Sequence, residues 1–207
     1  LHDTWDVSGL CGTGSTDFEV KDLFVPATRA VSLVSDKPLP RPLYCFPTFG
    51  LLGIGIAAVS LGLARGAIDT LVDLAGGKTP QGSSKPLALR AKAHLDVSEA
   101  EALTRSGRAY LMEAIEAAWE AATKTGEITV AHRRDLRIAT THAVRSATKA
   151  VDLMYTLAGG SSVYRNSALQ RQFRDVHVAT QHMMVSDATY ELTGRLLLGV
   201  PTNTAML

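Results

Sequence analysis

The sequence predicts a mainly α-helical fold, an antiparallel four-helix bundle preceded by the last strands of a β-domain. Apolar residues recur at three- and four-residue steps over four long stretches, which is the periodicity of amphipathic helices. Each stretch ends at a cluster of Gly, Pro or Ser, the residues that close helices and form turns. Four helices joined by short connections pack most simply as an antiparallel bundle.

The four predicted helices cover residues 49–75, 87–124, 129–158 and 168–198. The third stretch shows the clearest pattern, with Leu136, Val151 and Met154 on one face. The first and third stretches are rich in Ala and Gly, which allow close contact between helices. We therefore expect these helices also to make contacts between subunits of a homo-oligomer.

The residues before the helices have a different pattern. Residues 1–36 alternate turn residues with short apolar segments, as β-strands joined by tight turns do. Residues 37–48 are rich in Pro, which can continue neither a helix nor a central strand. The sequence thus predicts the end of a β-domain (1–36), a linker (37–48) and a helical bundle domain (49–207).

Composition excludes several classes of function. The chain has 207 residues, and 21 Lys and Arg balance 20 Asp and Glu without a basic stripe, which argues against nucleic-acid binding. Cys11 and Cys45 have neither a CxxC partner nor a nearby pair of His, so we expect reduced thiols in a cytoplasmic protein and no metal site. Because the sequence begins at Leu1 and already in a strand pattern, we expect it to start inside a longer protein.

Residues 46–64 contain no charged residue and are numerous enough to cross a bilayer as a helix. Pro47 at the start of this stretch and the absence of a basic flank argue against a membrane span. The same helix also continues amphipathically through Arg65, Asp69 and Asp73. A fully buried helix of the bundle is therefore the favoured interpretation.

Two segments carry a resemblance to a known family. Residues 5–26 resemble the last strands of the middle β-domain of the acyl-CoA dehydrogenase superfamily, although Cys11 stands where that family usually has Arg. The Gly159-Gly160 turn, Tyr164 and the pair Arg174-Asp175 are similar to the GG-x-x-Y and R-D segments of its C-terminal part. The resemblance implies a flavoprotein, usually a tetramer, in which this loop contacts the flavin, often that of a neighbouring subunit. The candidate residues for binding FAD or FMN are then Gly159, Gly160, Ser161, Ser162 and Tyr164.

The position of the family's catalytic base lacks a carboxylate. In the dehydrogenases a Glu shortly after the R-D segment removes the α-proton of an acyl thioester, and here the corresponding residues are Gln181, His182, Met183 and Met184. Met183 cannot accept this proton. The alternative location of the Glu, on the first helix, is also without a carboxylate, since residues 46–68 contain no Asp or Glu. The family's Arg-x-x-Phe-Gly segment has no clear match in residues 77–82 either.

A histidine at this position suits the flavin-dependent monooxygenase branch of the superfamily, which the chain resembles in residues 161–166 and 180–182. That branch, with the oxygenase component of p-hydroxyphenylacetate hydroxylase and the dibenzothiophene monooxygenases, takes reduced flavin from a separate reductase. It transfers one oxygen atom to an aromatic or heteroatom substrate. His182 is the candidate catalytic residue, because an imidazole can accept or donate a proton near neutral pH.

Alternatives remain open from the sequence alone. One is an acyl-CoA dehydrogenase with an atypical base, for which Asp187 and Glu191 are candidates. Another is a helical oligomerisation module that binds no ligand. Arg174 and Asp175 are expected to form a buried structural ion pair, and Asp175 and His182 to share one helix face. The 207 residues by themselves are expected to be inactive, since most of a flavin and substrate pocket would come from residues before Leu1.

Overall fold

The computed structural model describes residues 1–33 and 35–207 of the chain. Five α-helices lie within these residues and are numbered in chain order: α1 (Thr48–Gly77), α2 (Ala91–Thr125), α3 (Val130–Ala158), α4 (Ala168–Thr180) and α5 (Asp187–Leu197). The first three follow the predicted stretches to within a few residues. The prediction of a mainly α-helical fold is confirmed.

Contacts between side chains give the directions of the helices. On α3 and α4 the contacting pairs are Asp152 with His177 and Tyr155 with Phe173. Residue numbers rise along α3 as they fall along α4, so these two helices are antiparallel. α1 runs parallel to α3, because Lys78, directly after α1, donates to the carbonyl oxygen at the end of α3. The helices are therefore arranged as an antiparallel bundle.

Small residues allow the central helices to pack closely. Gly107 of α2 lies against α3, where an added Cβ atom would be 3.2 Å from the Cα atom of Ala143. Larger apolar side chains, among them Ile68, Leu71, Leu136 and Met154, are buried in the same core. The fully buried alanines of α1 and α3 are Ala57, Ala64, Ala67, Ala139, Ala143, Ala147, Ala150 and Ala158. The buried residues of α1 and α3 thus belong to one continuous core.

The fourth predicted helix, residues 168–198, is two helices, and the prediction of one continuous helix is wrong. α4 ends at Thr180 and α5 begins at Asp187, with a 3₁₀ turn at Met183–Val185 between them. Side chains in the break compete with helical backbone bonding. The Thr180 hydroxyl donates to the carbonyl of His177 at 2.6 Å, and the Met184 N–H donates to Nδ1 of His182 at 3.2 Å. The break places His182 on non-helical backbone at one end of the bundle.

The strands predicted in residues 1–36 do not form, since none of the described residues lies in a β-strand. Apart from 3₁₀ turns at Cys11–Thr13 and Ala27–Arg29, the described residues of this segment are irregular. A strand requires a ladder of backbone hydrogen bonds to a neighbour. Here a single backbone bond, from His2 N to Asp17 O at 2.8 Å, joins distant parts of the segment within the described range. The assignment of residues 1–36 to a β-domain stays a prediction.

α1 is the helix, among the described residues, that is long and apolar enough to cross a membrane. One face, including Gly53, Ala57 and Ala64, is buried in the bundle. The opposite face is half exposed, with Leu52 at 51% and Val59 at 52%. α1 is thus a bundle helix with a free apolar face, and the prediction that it is fully buried is wrong because its neighbours cover one side.

Candidate functional site

An apolar pocket of about 700 Å³ lies at the end of the bundle that carries the break. The free face of α1 forms one wall, and the end of α4 with His182 and Met183 forms another. The N-terminal segment, residues 1–36, contributes Trp5, Leu10 and Thr13 to the lining. The lining residues of α1 are Leu51, Leu52, Gly55, Ile56 and Val59. Their chemistry suits a largely apolar ligand, since polar groups are few.

His182 is exposed and borders this pocket. Its ring is oriented by the chain itself, because Nδ1 accepts a hydrogen bond from the backbone N–H of Met184 at 3.2 Å. A neutral imidazole whose Nδ1 acts as acceptor carries its hydrogen on Nε2. The structure therefore leaves Nε2–H as the group of His182 that is free to meet a ligand, and it acts there as a hydrogen-bond donor.

The N-terminal segment reaches the pocket because α4 holds it. Arg174 Nη1 donates to the carbonyl of Ser8 at 2.7 Å, and Oδ1 of Asp175 accepts the N–H of Leu10 at 2.6 Å. The prediction of a buried ion pair between Arg174 and Asp175 is therefore wrong, since each side chain binds the segment instead. The shared helix face predicted for Asp175 and His182 is also wrong, because α4 ends before His182.

The predicted flavin loop lies directly after α3. Gly159 has φ 54° and ψ −138°, a conformation that glycine adopts without strain and that turns the chain out of the helix. Lys78 Nζ donates to the carbonyl of Ala158 and, at 2.5 Å, to the hydroxyl of Ser161. The Ser162 side chain is buried and donates to the carbonyl of Gly159 at 2.6 Å, so its hydroxyl serves the loop itself.

The outer side of the loop borders a cavity of about 490 Å³. Ser161 and Tyr164 line this cavity, and Tyr164 is 66% exposed. Gly160 leaves open space, with no atom within 4 Å of the place where a Cβ atom would stand. An exposed aromatic ring, a hydroxyl and open glycine backbone beside the Lys78 ammonium could receive an anionic or aromatic group.

The loop and His182 lie at opposite ends of α4. This helix has 13 residues, which corresponds to about 20 Å at 1.5 Å per residue. The structure therefore does not bring the predicted cofactor-binding residues and the predicted catalytic residue together within one chain. A single ligand that touches both within one subunit would have to extend along the whole of α4.

Replacing Lys78 with Met is expected to lower the free energy of unfolding by about 1–3 kcal/mol, because hydrogen bonds of a charged group to Ala158 and Ser161 are lost. Amide hydrogen exchange should quicken in the loop. The matched control is Lys85→Met, since the exposed Lys85 side chain makes no hydrogen bond within the described part of the chain. Equal loop exchange in both variants would contradict this role of Lys78.

The alternative bases lie away from the apolar pocket. Asp187 borders a separate cavity of about 620 Å³, where it forms an ion pair with Arg145, and its side chain is 89% exposed. Glu191 is exposed on α5. Gln181 borders both this cavity and the apolar pocket. Among the described residues there is no group of His, Cys, Asp and Glu that could hold a metal ion.

The sequence reasoning missed the walls of the apolar pocket. The sequence pattern predicts that Trp5 and Leu10 lie in strands and that the free face of α1 belongs to the buried core. The signal for α1 is present in the sequence, because Leu52, Ile56 and Val59 recur at helical spacing as a stripe separate from the small residues Gly53 and Ala57. Nothing in the local sequence shows that the N-terminal segment returns to α4.

Comparison with known proteins gives a consistent result. A family model described as the acyl-CoA dehydrogenase C-terminal domain matches residues 54–187. Indole-3-acetate monooxygenase of Pseudomonas putida is 35% identical over 199 residues, which cover 96% of this chain and 51% of that protein. The oxygenase component of the FADH(2)-dependent resorcinol hydroxylase of Rhizobium sp. is 25% identical over 218 residues, 97% of this chain and 53% of that protein. The crystal structure of 3-HSA hydroxylase from Rhodococcus sp. RHA1 superposes with a TM-score of 0.88 at 25% identity, over 100% of this chain and 55% of that one.

The chain thus spans about half the length of the curated relatives that it matches. The residues matched by the family model run from within α1 to the first residue of α5, and they include the loop after α3 and His182. They make up more than half of the chain, and the observed bundle agrees with the superposition. The chain belongs to the acyl-CoA dehydrogenase C-terminal domain family.

Proposed function

We propose that the protein carrying this chain is a reduced-flavin-dependent monooxygenase that hydroxylates an aromatic or polycyclic small molecule. The observation that carries the proposal is His182 at the wall of an apolar pocket whose lining, in the described residues, includes no carboxylate. Abstraction of an α-proton needs a base, whereas oxygen transfer to a ring needs an apolar site with a group that can hydrogen-bond to oxygen. The names of the relatives, an indole-3-acetate monooxygenase and a resorcinol hydroxylase, support the same class.

The cofactor in this proposal is FAD or FMN in its reduced form. When bound, the flavin supplies the electrons and activates the oxygen that is transferred. The loop residues Gly159, Gly160, Ser161 and Tyr164 would hold part of it, and the open glycine backbone beside the Lys78 ammonium fits a phosphate or a flavin oxygen. Ser162 would act by shaping the loop, because its hydroxyl is engaged within it.

The distance between the loop and His182 supports an oligomer. In the superfamily that the chain resembles, this loop contacts the flavin, often that of a neighbouring subunit. Since α4 separates the loop from His182 by about 20 Å, a flavin beside His182 would meet the loop of another subunit more readily than that of its own. We therefore infer a homo-oligomer, and a tetramer by the resemblance.

The remaining partners follow from the same reaction. Reduced flavin must be regenerated after each turnover, and the resemblance implies a separate flavin reductase as its source. The relative from Rhizobium is described as an oxygenase component, which supports a division of labour between two proteins. We propose a cytoplasmic location, where such a reductase would find reduced nicotinamide cofactors.

The test uses the full protein with reduced FMN or FAD, oxygen, and either indole-3-acetate or p-hydroxyphenylacetate. A hydroxylated product is the expected result. In parallel, the protein with oxidised flavin is mixed without oxygen with a panel of acyl-CoA thioesters. Bleaching of the flavin by a thioester would identify a dehydrogenase with an atypical base instead. Failure to bind either flavin in either oxidation state would favour an oligomerisation module.

A further inference from the structure

Leu10 adopts a backbone conformation that leucine normally avoids. Its φ and ψ are 53° and 29°, in the left-handed region, where a residue with a Cβ atom is strained by about 1–2 kcal/mol. Its side chain lines the apolar pocket that His182 also borders. The chain therefore accepts local strain at a position that shapes the pocket, and strain of this kind is concentrated at functional sites.

Hydrogen bonds on both sides of Leu10 hold this conformation. Its N–H donates to Oδ1 of Asp175 at 2.6 Å. Its carbonyl oxygen accepts from the Thr13 hydroxyl at 2.9 Å and from the indole N–H of Trp5 at 3.3 Å. Trp5 and Thr13 line the same pocket. The bonds that fix the backbone of Leu10 thus also fix its neighbours on this wall.

The residue before Leu10 fixes the position of the segment on α4. A Cβ atom at Gly9 would lie 2.5 Å from the carbonyl carbon and oxygen of Arg174 and 2.8 Å from the backbone nitrogen of Asp175. The backbone of the segment therefore packs directly on the backbone of α4, a contact that glycine alone allows. The Arg174 guanidinium binds the Ser8 carbonyl beside it.

We propose that Leu10 is a specificity-determining residue, whose side chain limits the size of the aromatic ring system that the pocket admits. Asp175 is then a positioning residue that acts through the backbone of Leu10. The proposal rests on the proposed function in one respect, namely that the ligand of this pocket is an aromatic substrate. The proposal goes beyond the proposed function because it names the residues that select among aromatic substrates.

The deciding variant is Leu10→Gly in the full protein. Glycine adopts the left-handed conformation freely, so the fold of the segment is kept while the side chain is removed. The ratio of kcat/KM for two-ring indole-3-acetate to that for one-ring p-hydroxyphenylacetate is expected to rise about tenfold, the usual effect of changing pocket volume by a few carbon atoms. An unchanged ratio would overturn the proposal.

Asp22→Gly is the matched control. Asp22 is the other residue with a side chain and positive φ in the described part of the chain, at 52°, and it lies exposed outside the pocket lining. This variant relieves the same type of strain and should leave the ratio unchanged. A shift of equal size in Asp22→Gly would show that relief of strain, and not pocket volume, is responsible.

Asp175→Ala and Asp175→Asn test the positioning residue. Asparagine keeps a side-chain oxygen that can accept the Leu10 N–H, whereas alanine does not. The alanine variant is expected to raise KM for both acids more than it lowers kcat, and to bring the ratio of their kcat/KM values closer to one. The asparagine variant is expected to keep the wild-type ratio. A fall in kcat at constant KM in both variants would contradict a role through Leu10.

Calorimetric titration measures the dissociation constants of the same two acids for the wild type and for Leu10→Gly. These constants distinguish a failure of the proposed function from a failure of the proposed role of Leu10. If neither acid is hydroxylated but the ratio of their dissociation constants shifts about tenfold in Leu10→Gly, the proposed function fails and the role of Leu10 stands. If both acids are hydroxylated and neither the kinetic nor the binding ratio shifts, the role of Leu10 fails and the function stands. Failure of the wild type to bind either acid overturns both.

Discussion

Replacing His182 with Ala is expected to lower the rate of substrate hydroxylation about 100-fold, the usual cost of removing one hydrogen-bond donor from a reacting oxygen. The reason is the orientation of the ring, since Nδ1 is engaged by the Met184 N–H and Nε2–H is left for the pocket. The rate is measured under saturating reduced flavin and substrate, with flavin affinity checked separately. A wild-type rate with intact flavin binding would show that His182 is structural.

Two further substitutions of His182 distinguish what the ring contributes. Asn can replace Nδ1 as acceptor for the Met184 N–H but offers no donor at the position of Nε2, whereas Gln places an N–H donor near that position. A donor role predicts that Gln retains much of the rate and that Asn loses it as Ala does. If all three variants lose activity equally, His182 acts as a base. If Asn alone retains activity, the ring serves only to hold the turn.

Replacing Arg137 with Met is expected to raise the free energy of unfolding by about 1–4 kcal/mol. Arg137 lies in the core of the bundle with 3% of its surface exposed, and burial lowers the pKa of its guanidinium from the ordinary value. Nη1 donates to the sulfur of Met184 at 3.3 Å, but Nε has no partner and no carboxylate among the described residues pairs with the guanidinium. A buried charge without a counterion is costly, and Met has a similar shape without that cost.

Chemical denaturation of the full protein measures this effect, with Arg134→Met as the control. Arg134 is the neighbouring arginine that does have a partner, since its guanidinium binds Asp135 at 2.8 Å and 3.1 Å. The control should leave stability unchanged or slightly lowered, as expected for a partly exposed ion pair. A loss of stability in Arg137→Met would mean that its charge is compensated by a group outside the described residues.

The elements that follow local rules could be predicted from the sequence. α3 was placed to within a residue, because its apolar periodicity is regular and the Gly159 turn that ends it requires a positive φ. Its start is fixed by a capping box in which Thr129 and His132 bind each other's backbone N–H groups. Signals of this kind lie within a few residues of the feature that they specify.

The features that the sequence does not predict correctly depend on distant parts of the chain or on competing side chains. The break after Thr180 arises because Thr180, His182 and the backbone around them form local bonds that replace helical ones, and periodicity does not register this competition. The contact of Gly9 with Arg174 joins residues far apart in sequence. The role of His182 was inferred from a resemblance, and the structure adds its neighbourhood and the orientation of its ring.

The two cavities beside the break share Gln181 as a common boundary. One is apolar and lies against α1, whereas the other contains Arg145 and Lys149 of α3. In the second cavity Arg145 is paired with Asp187, so the two cavities differ in polarity as well as in position. The Gln181 side chain lies between the two cavities. Its length therefore decides whether the break between α4 and α5 borders two separate cavities or one continuous cavity.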